Sequence, residues 1–307
     1  MKAAMITSYQ APIEIGNVDK PVVKADSVVI AVHAASINPI DDILRSGAMK
    51  DTAPLTFPHV MGYDVSGLVV EVGSDVRNIK VGDAVLARPN QDDAGAIAEF
   101  ARVKASELAL KPDTLSHVEA ASVPLAGLTA WQALITKGKL KAGDKVLIHA
   151  GSGGVGTFAV QIAKHVGAYI ATTSSGRHAD LVQRLGADVV IDYNTEVFDE
   201  QLSEYDLVFD MLGGDTMKRS FKVLKKGGTM ISIKGQDTES LAAQHGVRFE
   251  GFYMEPNGTM LGELGAWIDA GAVTPVIGNT FPMEQSAAAY EELANGHSVG
   301  KIVIVIS

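Results

Sequence analysis

Six residues set the strongest limit on the fold: Gly151-Ser152-Gly153-Gly154-Val155-Gly156, a G-x-G-x-x-G sequence with four glycines. An apolar run, Lys145 to Ala150, precedes it, and Val155, Phe158, Ala159, Ile162, Ala163 and Val166 follow at helical spacing. A strand, a tight turn and a helix with one apolar stripe to lay on a sheet are implied. So many glycines raise the backbone entropy lost on folding, which makes a turn that merely packs the weaker reading. The stronger one is a cradle for a dinucleotide, because a pyrophosphate approaches backbone N–H groups and a helix N-terminus more closely than a Cβ permits. Gly151 is then the turn residue, Gly153 the point of approach and Gly156 the helix–strand contact, with Ser152, Gly154 and Val155 completing the loop.

Downstream, Tyr169 to Thr173, Val189 to Tyr193, Asp206 to Leu212 and Thr229 to Lys234 read as strands buried on both faces of a parallel sheet. The helix between the first two of these carries Leu181, Val182 and Leu185, with Ser174 and Ser175 as candidate N-caps and Gly186 as its stop. Alternating strands and helices with right-handed crossovers predict an α/β, doubly wound parallel-sheet domain. The rhythm upstream is different. Ser27 to Ala34, Val65 to Val72, Ala84 to Ala87 and Ala98 to Val103 are short β-rich runs parted by turn signals such as Gly73-Ser74-Asp75 and Val81-Gly82-Asp83, the pattern of a mostly antiparallel barrel. The last apolar run, Lys301 to Ser307, is set apart from the helix around Leu261 to Ala270 by Pro275 and a polar stretch, and is expected to return to the first domain. The expected division is 1–118 with 276–307, and 119–275.

Charge and cysteine content exclude several classes. Lys and Arg number 26 against 36 Asp and Glu, a formal charge of −10 that repels a phosphate backbone, so nucleic acid is not expected as a partner. There is no cysteine, which removes disulfides, thiolate nucleophiles, iron–sulfur clusters and sulfur-ligated zinc. The eight histidines are scattered, with no metal-binding pair on one element; His59 and His297 read as loop residues and His149 as a packed or hydrogen-bonded strand residue. No apolar run reaches the roughly 18 residues that membrane insertion requires, and Met1 to Gln10 has no signal-like stretch, so an untargeted, cytoplasmic protein is expected.

The second strand of the parallel sheet points to the nucleotide. An NAD site usually has Asp or Glu about 20 residues after the glycines, accepting from the ribose 2′-hydroxyl. Here stands Thr172-Thr173-Ser174-Ser175-Gly176-Arg177, without an acid. NADPH is therefore the expected cofactor, with Arg177 as the ion partner of the 2′-phosphate and Ser174 and Ser175 as hydroxyl donors. Tyr193 lies beside the same phosphate or is an ordinary strand tyrosine, and Leu212, closing the fourth run, is counted among the nucleotide-binding residues.

Five motifs, in order, resemble the zinc-independent quinone oxidoreductase branch of the medium-chain dehydrogenase/reductase superfamily. They are Ser36-Ile37-Asn38-Pro39-Ile40-Asp41 with Arg45-Ser46-Gly47, then Pro58-His59-Val60-Met61-Gly62-Tyr63-Asp64 with Gly67, then Ala126-Gly127-Leu128-Thr129-Ala130, the glycine loop, and Gly300-Lys301-Ile302-Val303. The resemblance implies a GroES-like β-rich barrel built from both chain ends, a central Rossmann domain, a cleft between them and, commonly, a homodimer. Where the zinc enzymes of the superfamily hold catalytic metal, this chain has Asn38 and Tyr63, so no metal is expected. The match further implies that Asn38 approaches the nicotinamide or its ribose, that Thr129 lies near the nicotinamide or phosphates and that Lys301 reaches the cofactor. Each also has a plainer reading: a turn asparagine, a helix threonine and a surface lysine. Tyr63 is either a donor to a developing oxyanion or a packing tyrosine. Asp41 is expected to hold its own loop.

Without a Lewis-acid metal, the easier reaction is hydride transfer to an electrophile that accepts it readily, a quinone or an α,β-unsaturated ketone or aldehyde. Many quinone oxidoreductases carry aromatic residues around the Asn-Pro loop, whereas this chain has Ile43, Leu44 and Met49, a lining that suits a small enone or enal at least as well. A non-catalytic NADPH-binding or sensing protein of the same fold is the second reading, since no residue is an unmistakable acid or base.

Overall fold

The computed structural model describes residues 1–90, 95–234, 239–296 and 298–306, so His297 lies outside the described residues. The chain divides into two units, one of Met1–Leu125, Pro256–Ala270 and Pro275–Ser307, the other of Ala126–Glu255 and Gly271–Thr274. Compared with the boundaries expected from sequence, 119–125 and the helix Gly258–Asp269 fall in the first unit. That helix is seated there by close backbone approach: a Cβ on Gly258 would stand 2.2 Å from the Leu108 carbonyl oxygen. Its far end is tied by Thr114, whose N–H and hydroxyl donate to Asp269 Oδ1 at 3.1 and 2.8 Å.

The first unit is the mostly antiparallel β-rich barrel that the resemblance implies. Its central strand, Ser27–Ile37, pairs antiparallel with Asp64–Val72, Phe100–Lys104 and Lys301–Val305. The C-terminal strand thus returns to this unit, where Ile302 lies opposite Ile37. Gly67 is a point of close approach in the sheet, since a Cβ there would stand 2.0 Å from the Ala31 carbonyl oxygen. Ile30, Val65, Val85, Val103 and Ile304 fill the core, joined by Tyr290 from the helix Ser286–Ala294.

The second unit is a six-stranded parallel sheet in the order Val189–Asp192, Tyr169–Ser174, Lys145–Ile148, Tyr205–Asp210, Leu224–Ser232, Arg248–Gly251. Numbered along the chain this is 3-2-1-4-5-6, the Rossmann order, with its switch point at the carboxyl ends of Lys145–Ile148 and Tyr205–Asp210. Val146, Leu147, Ile148, Val208 and Phe209 are wholly buried, as continuous apolar runs covered on both faces require. The helix Gly154–Val166 buries Phe158, Ala159, Ile162 and Ala163 of its stripe and stops at Gly167, which takes the left-handed φ of 89°. Two local expectations are corrected. Neither Ser174 nor Ser175 caps the next helix: a 3-10 turn, Gly176–His178, intervenes, and the helix begins at Ala179. His59 is not in a loop but in the short strand His59–Val60, opposite Ile6. Among the described residues no helix is long and apolar enough to cross a membrane.

Candidate active site

The glycine loop joins the strand Lys145–Ile148 to the helix Gly154–Val166. Its left-handed residue is Ala150, with φ 52°, one position before the first glycine. Gly151 is required for a different reason: a Cβ there would stand 2.0 Å from Thr172 Oγ1 on the neighbouring strand. At Gly156 a Cβ would stand 2.1 Å from the Ala150 carbonyl oxygen, so any larger residue would push the helix off the turn. Gly153 is less confined, with the Ala150 carbonyl oxygen 3.3 Å from where a Cβ would be, and as N-cap it brings no side chain to the first-turn N–H groups of the helix. A loop closed to side chains within and lacking a side-chain cap at the helix start fits a diphosphate.

At the end of Tyr169–Ser174, the Ser174 hydroxyl donates to Ser152 Oγ at 3.2 Å and so joins the second strand to the glycine loop. Ser175 is half-buried, and Arg177 is exposed on the 3-10 turn. Asp192 Oδ2 stands 2.4 Å from where a Cβ on Gly176 would be, so a larger residue at that turn would have to displace the Asp192 carboxylate. Tyr193 and Leu212 are exposed, at 56% and 49%. The Leu212 N–H donates to Asp210 Oδ1 at 3.1 Å. Thr129 is buried in the helix Pro124–Trp131.

In the first unit the Asn-Pro loop carries a buried polar cluster. Asn38 is 2% exposed; its Nδ2 donates to Asp64 Oδ2 at 2.8 Å and its Oδ1 accepts from Lys301 Nζ. Lys301 is no surface lysine: it is 4% exposed, donates to the Ile37 carbonyl at 2.9 Å and lies 3.4 Å from Asp64 Oδ2. Asp64 also accepts from Ser36 Oγ at 2.9 Å and from the Leu125 N–H at 2.8 Å. Both functional ends of the Asn38 amide are therefore fixed, and the hydrogen bonds assign its orientation.

Asp41 holds the same loop from below. Its Oδ2 accepts from the Asn38 N–H at 3.0 Å and the Tyr290 hydroxyl at 2.9 Å, while its buried Oδ1 has no partner among the described residues. Burial pushes its carboxyl up to about 7, aided by the nearby Asp64 charge and opposed by those two hydrogen bonds and Lys301. Tyr63 is 1% exposed, with its hydroxyl 3.4 Å from His59 Nε2 and the Arg88 guanidinium 5.1 Å above its ring. Burial raises the phenol above its ordinary value, so it stays protonated at neutral pH. Burial likewise lowers His59 to about 4, keeping it neutral. Of the loop's apolar residues, Leu44 is buried, Ile43 exposed and Met49 half-buried, so Leu44 packs instead of lining an open surface.

These features can be set beside known proteins. Residues 24–113 match the model of the alcohol dehydrogenase GroES-like domain, and residues 185–304 that of the zinc-binding dehydrogenases. The NADPH-dependent alkenal/one oxidoreductase of Arabidopsis thaliana chloroplasts is 38% identical over 94% of this chain and 74% of its own length. The quinone oxidoreductase structure from Coxiella burnetii superposes with a TM-score of 0.92 at 34% identity, covering 100% of this chain and 99% of the other. The chain belongs to the quinone oxidoreductase branch of the medium-chain dehydrogenase/reductase superfamily. Another solved quinone oxidoreductase, that of Escherichia coli in complex with NADPH, has a TM-score of 0.89 at 25% identity with full coverage of both chains.

Within this quinone oxidoreductase fold, several residues of the two sites escaped sequence reasoning. Asp64 has no assigned role from its motif alone, although a lone acid opening an apolar strand signals a buried partner. Ser36, opposite it in register, and Tyr290, far along the chain, have no local signal at all. Thr173 stands in sequence only as part of a segment without an acid, yet its hydroxyl accepts from the Ala150 N–H at 3.1 Å and supports the glycine loop.

Proposed function

We propose that this chain is an NADPH-dependent, zinc-independent oxidoreductase that transfers hydride to a quinone or to an α,β-unsaturated ketone or aldehyde. The observation that carries the reading is the glycine loop, where Cβ atoms at Gly151 and Gly156 would meet neighbours at 2.0 and 2.1 Å, leading into a helix with no side-chain N-cap. The names of the relatives, an NADPH-dependent alkenal/one oxidoreductase and quinone oxidoreductases, support the cofactor and the substrate class.

Gly151 to Gly156 hold the diphosphate in this reading, and Ser174, Ser175, Arg177 and Tyr193 surround the 2′-phosphate, with Leu212 and Thr129 completing the nucleotide contacts. The exposed Arg177 is available for a charge-assisted pair. Bound NADPH supplies a hydride to the electrophilic carbon. The protein's part is to meet the negative charge that then grows on the substrate oxygen. Asn38 has one Nδ2 hydrogen committed to Asp64 and keeps the second for such a donation. Tyr63, held protonated by burial, is the other donor. Lys301 acts through Asn38, whose Oδ1 it holds.

The donor set does not suit zinc: Asn38 offers an amide oxygen already bound by Lys301, Tyr63 offers a protonated phenol, and the chain has no cysteine. A homodimer and a cytoplasmic location are part of the same proposal. The strand Arg248–Gly251 has a pairing partner on one side only among the described residues, which leaves an edge for a second copy.

The test is loss of NADPH absorbance with a panel of small quinones and short enones, without added metal. Turnover supports the proposal. Tight NADPH binding without turnover of any electrophile favours the sensing role, and no binding of either nucleotide defeats both.

A further inference from the structure

The hydrogen-bond directions around His149 can be read from a single carbonyl group. Ser220 has one hydroxyl hydrogen, which it donates to the Thr216 carbonyl oxygen at 2.7 Å. His149 Nε2 lies 2.8 Å from that same hydroxyl oxygen, so Nε2 carries a hydrogen and donates it. The ring is fully buried and neutral, burial having lowered it to about 4 against the opposing charge of Asp210. A neutral ring protonated on Nε2 has a bare Nδ1, and this atom is 3.0 Å from Thr173 Oγ1. Thr173 therefore donates to His149, which leaves its oxygen free to accept the Ala150 N–H at 3.1 Å. The Thr173 carbonyl takes the next amide, Gly151, at 3.0 Å.

These bonds converge on the residue that shapes the glycine loop. Ala150 is left-handed at φ 52°, a conformation that a residue with a Cβ adopts only when its surroundings hold it there. Its carbonyl oxygen accepts from the Gly153 N–H at 3.0 Å and stands 2.1 Å from where a Cβ on Gly156 would be. We propose that His149 is a positioning residue of the nucleotide site: through Thr173 it holds Ala150 and Gly151 in the conformation that lets the loop receive a diphosphate. The proposal rests on the nucleotide-binding reading of that loop.

The experiment uses the full-length protein as wild type, His149→Phe, Thr173→Val, Thr173→Ser and the His149→Phe/Thr173→Val double variant. Nitrogen NMR of labelled histidine should find wild-type His149 protonated on Nε2 and bare on Nδ1. Exchange of the Ala150 amide should be about tenfold faster in Thr173→Val and unchanged in Thr173→Ser, the effect expected for loss of one buried hydrogen bond. The NADPH Kd should rise about tenfold in each disruptive single variant, no further in the double, and recover in Thr173→Ser. A proton on Nδ1, additive losses in the double, or unchanged Kd and exchange in both single variants overturns the proposal. If His149→Phe does not fold, the two Thr173 variants still decide it. If the wild type binds no nucleotide, the proposed function fails, and the tautomer and Ala150 exchange still report on the relay separately.

Discussion

The side-chain amide of Gln161 pairs with the backbone of Thr274 as a strand would: Nε2 donates to the Thr274 carbonyl at 2.9 Å and Oε1 accepts its N–H at 2.8 Å. Gln161 lies in the helix Gly154–Val166, and Thr274 ends the short segment by which the chain revisits the second unit. Gln132 clasps Glu255 in the same manner, at 2.7 and 3.1 Å, where the chain leaves that unit. Replacing Gln161 with Leu keeps an apolar body of similar size but strips both partners from the Thr274 backbone. The expected loss is about 2–6 kcal/mol, from roughly 1–3 kcal/mol for each of the two groups left unsatisfied. Urea denaturation of the second unit, followed by far-UV signal, checks it; a change within 0.5 kcal/mol would show that water replaces the amide.

Lys301 and Asp64 form a buried ion pair with Asn38 between them. Lys301→Met leaves the Asp64 carboxylate buried without its cation, which is expected to destabilise the protein by about 3–5 kcal/mol. Adding Asp64→Asn to that variant removes the stranded charge and should recover part of the loss. Chemical denaturation of the single and double variants measures both. An equal loss in the double would mean that the lysine contributes through packing instead of charge.

Arg177→Ala is expected to weaken NADPH binding by about 10- to 100-fold, the range for a hydrogen bond to a charged group, and to leave NADH nearly unaffected. Equilibrium titration with both nucleotides reads the ratio directly. Equal losses would remove Arg177 from the 2′-phosphate site.

Asp41 and the buried histidines pull stability in opposite directions with pH. Asp41 holds its proton up to about 7 in the folded state against 3.8 in its ordinary environment, so its contribution is present at low pH and is lost as pH rises through about 7. Asp41→Asn keeps an oxygen for the Asn38 N–H and the Tyr290 hydroxyl but cannot ionise. Its melting temperature relative to wild type should therefore climb between pH 5 and pH 8. A flat difference across this range would show that Asp41 is already ionised at pH 5.

His59 and His149 are lowered from 6.5 to about 4 by burial, so their contribution is present above pH 6.5 and is lost as pH falls through about 4. Wild-type stability should decline over this acid range, and His59→Phe should flatten part of the slope. An unchanged slope in denaturation midpoints against pH would exclude His59 as a source of the decline.

The order of elements was legible because it depends on local signals. A buried parallel strand reads as an unbroken apolar run and its helix as a stripe, so the glycine loop, its flanking strand and helix, and the segment Ser174 to Arg177 could all be located from residues close together in the chain. Helix starts were less clear: the 3-10 turn Gly176–His178 displaced the expected serine caps, and the left-handed position fell on Ala150 instead of Gly151. Backbone angles respond to neighbours such as Thr172 and Thr173, which a short window cannot weigh.

The amino-acid order alone therefore determined a β-rich part, a doubly wound part and a glycine cradle, since each follows from periodicity and from where a Cβ is missing. Only the tertiary structure decided what the polar side chains do. Asn38, Asp64 and Lys301 come together from positions as much as 263 residues apart, and Gly258–Asp269 joins the unit that its neighbours along the chain do not. A buried charge or amide must find its partner wherever folding brings one near, and that partner is fixed by register across a sheet instead of spacing along the chain.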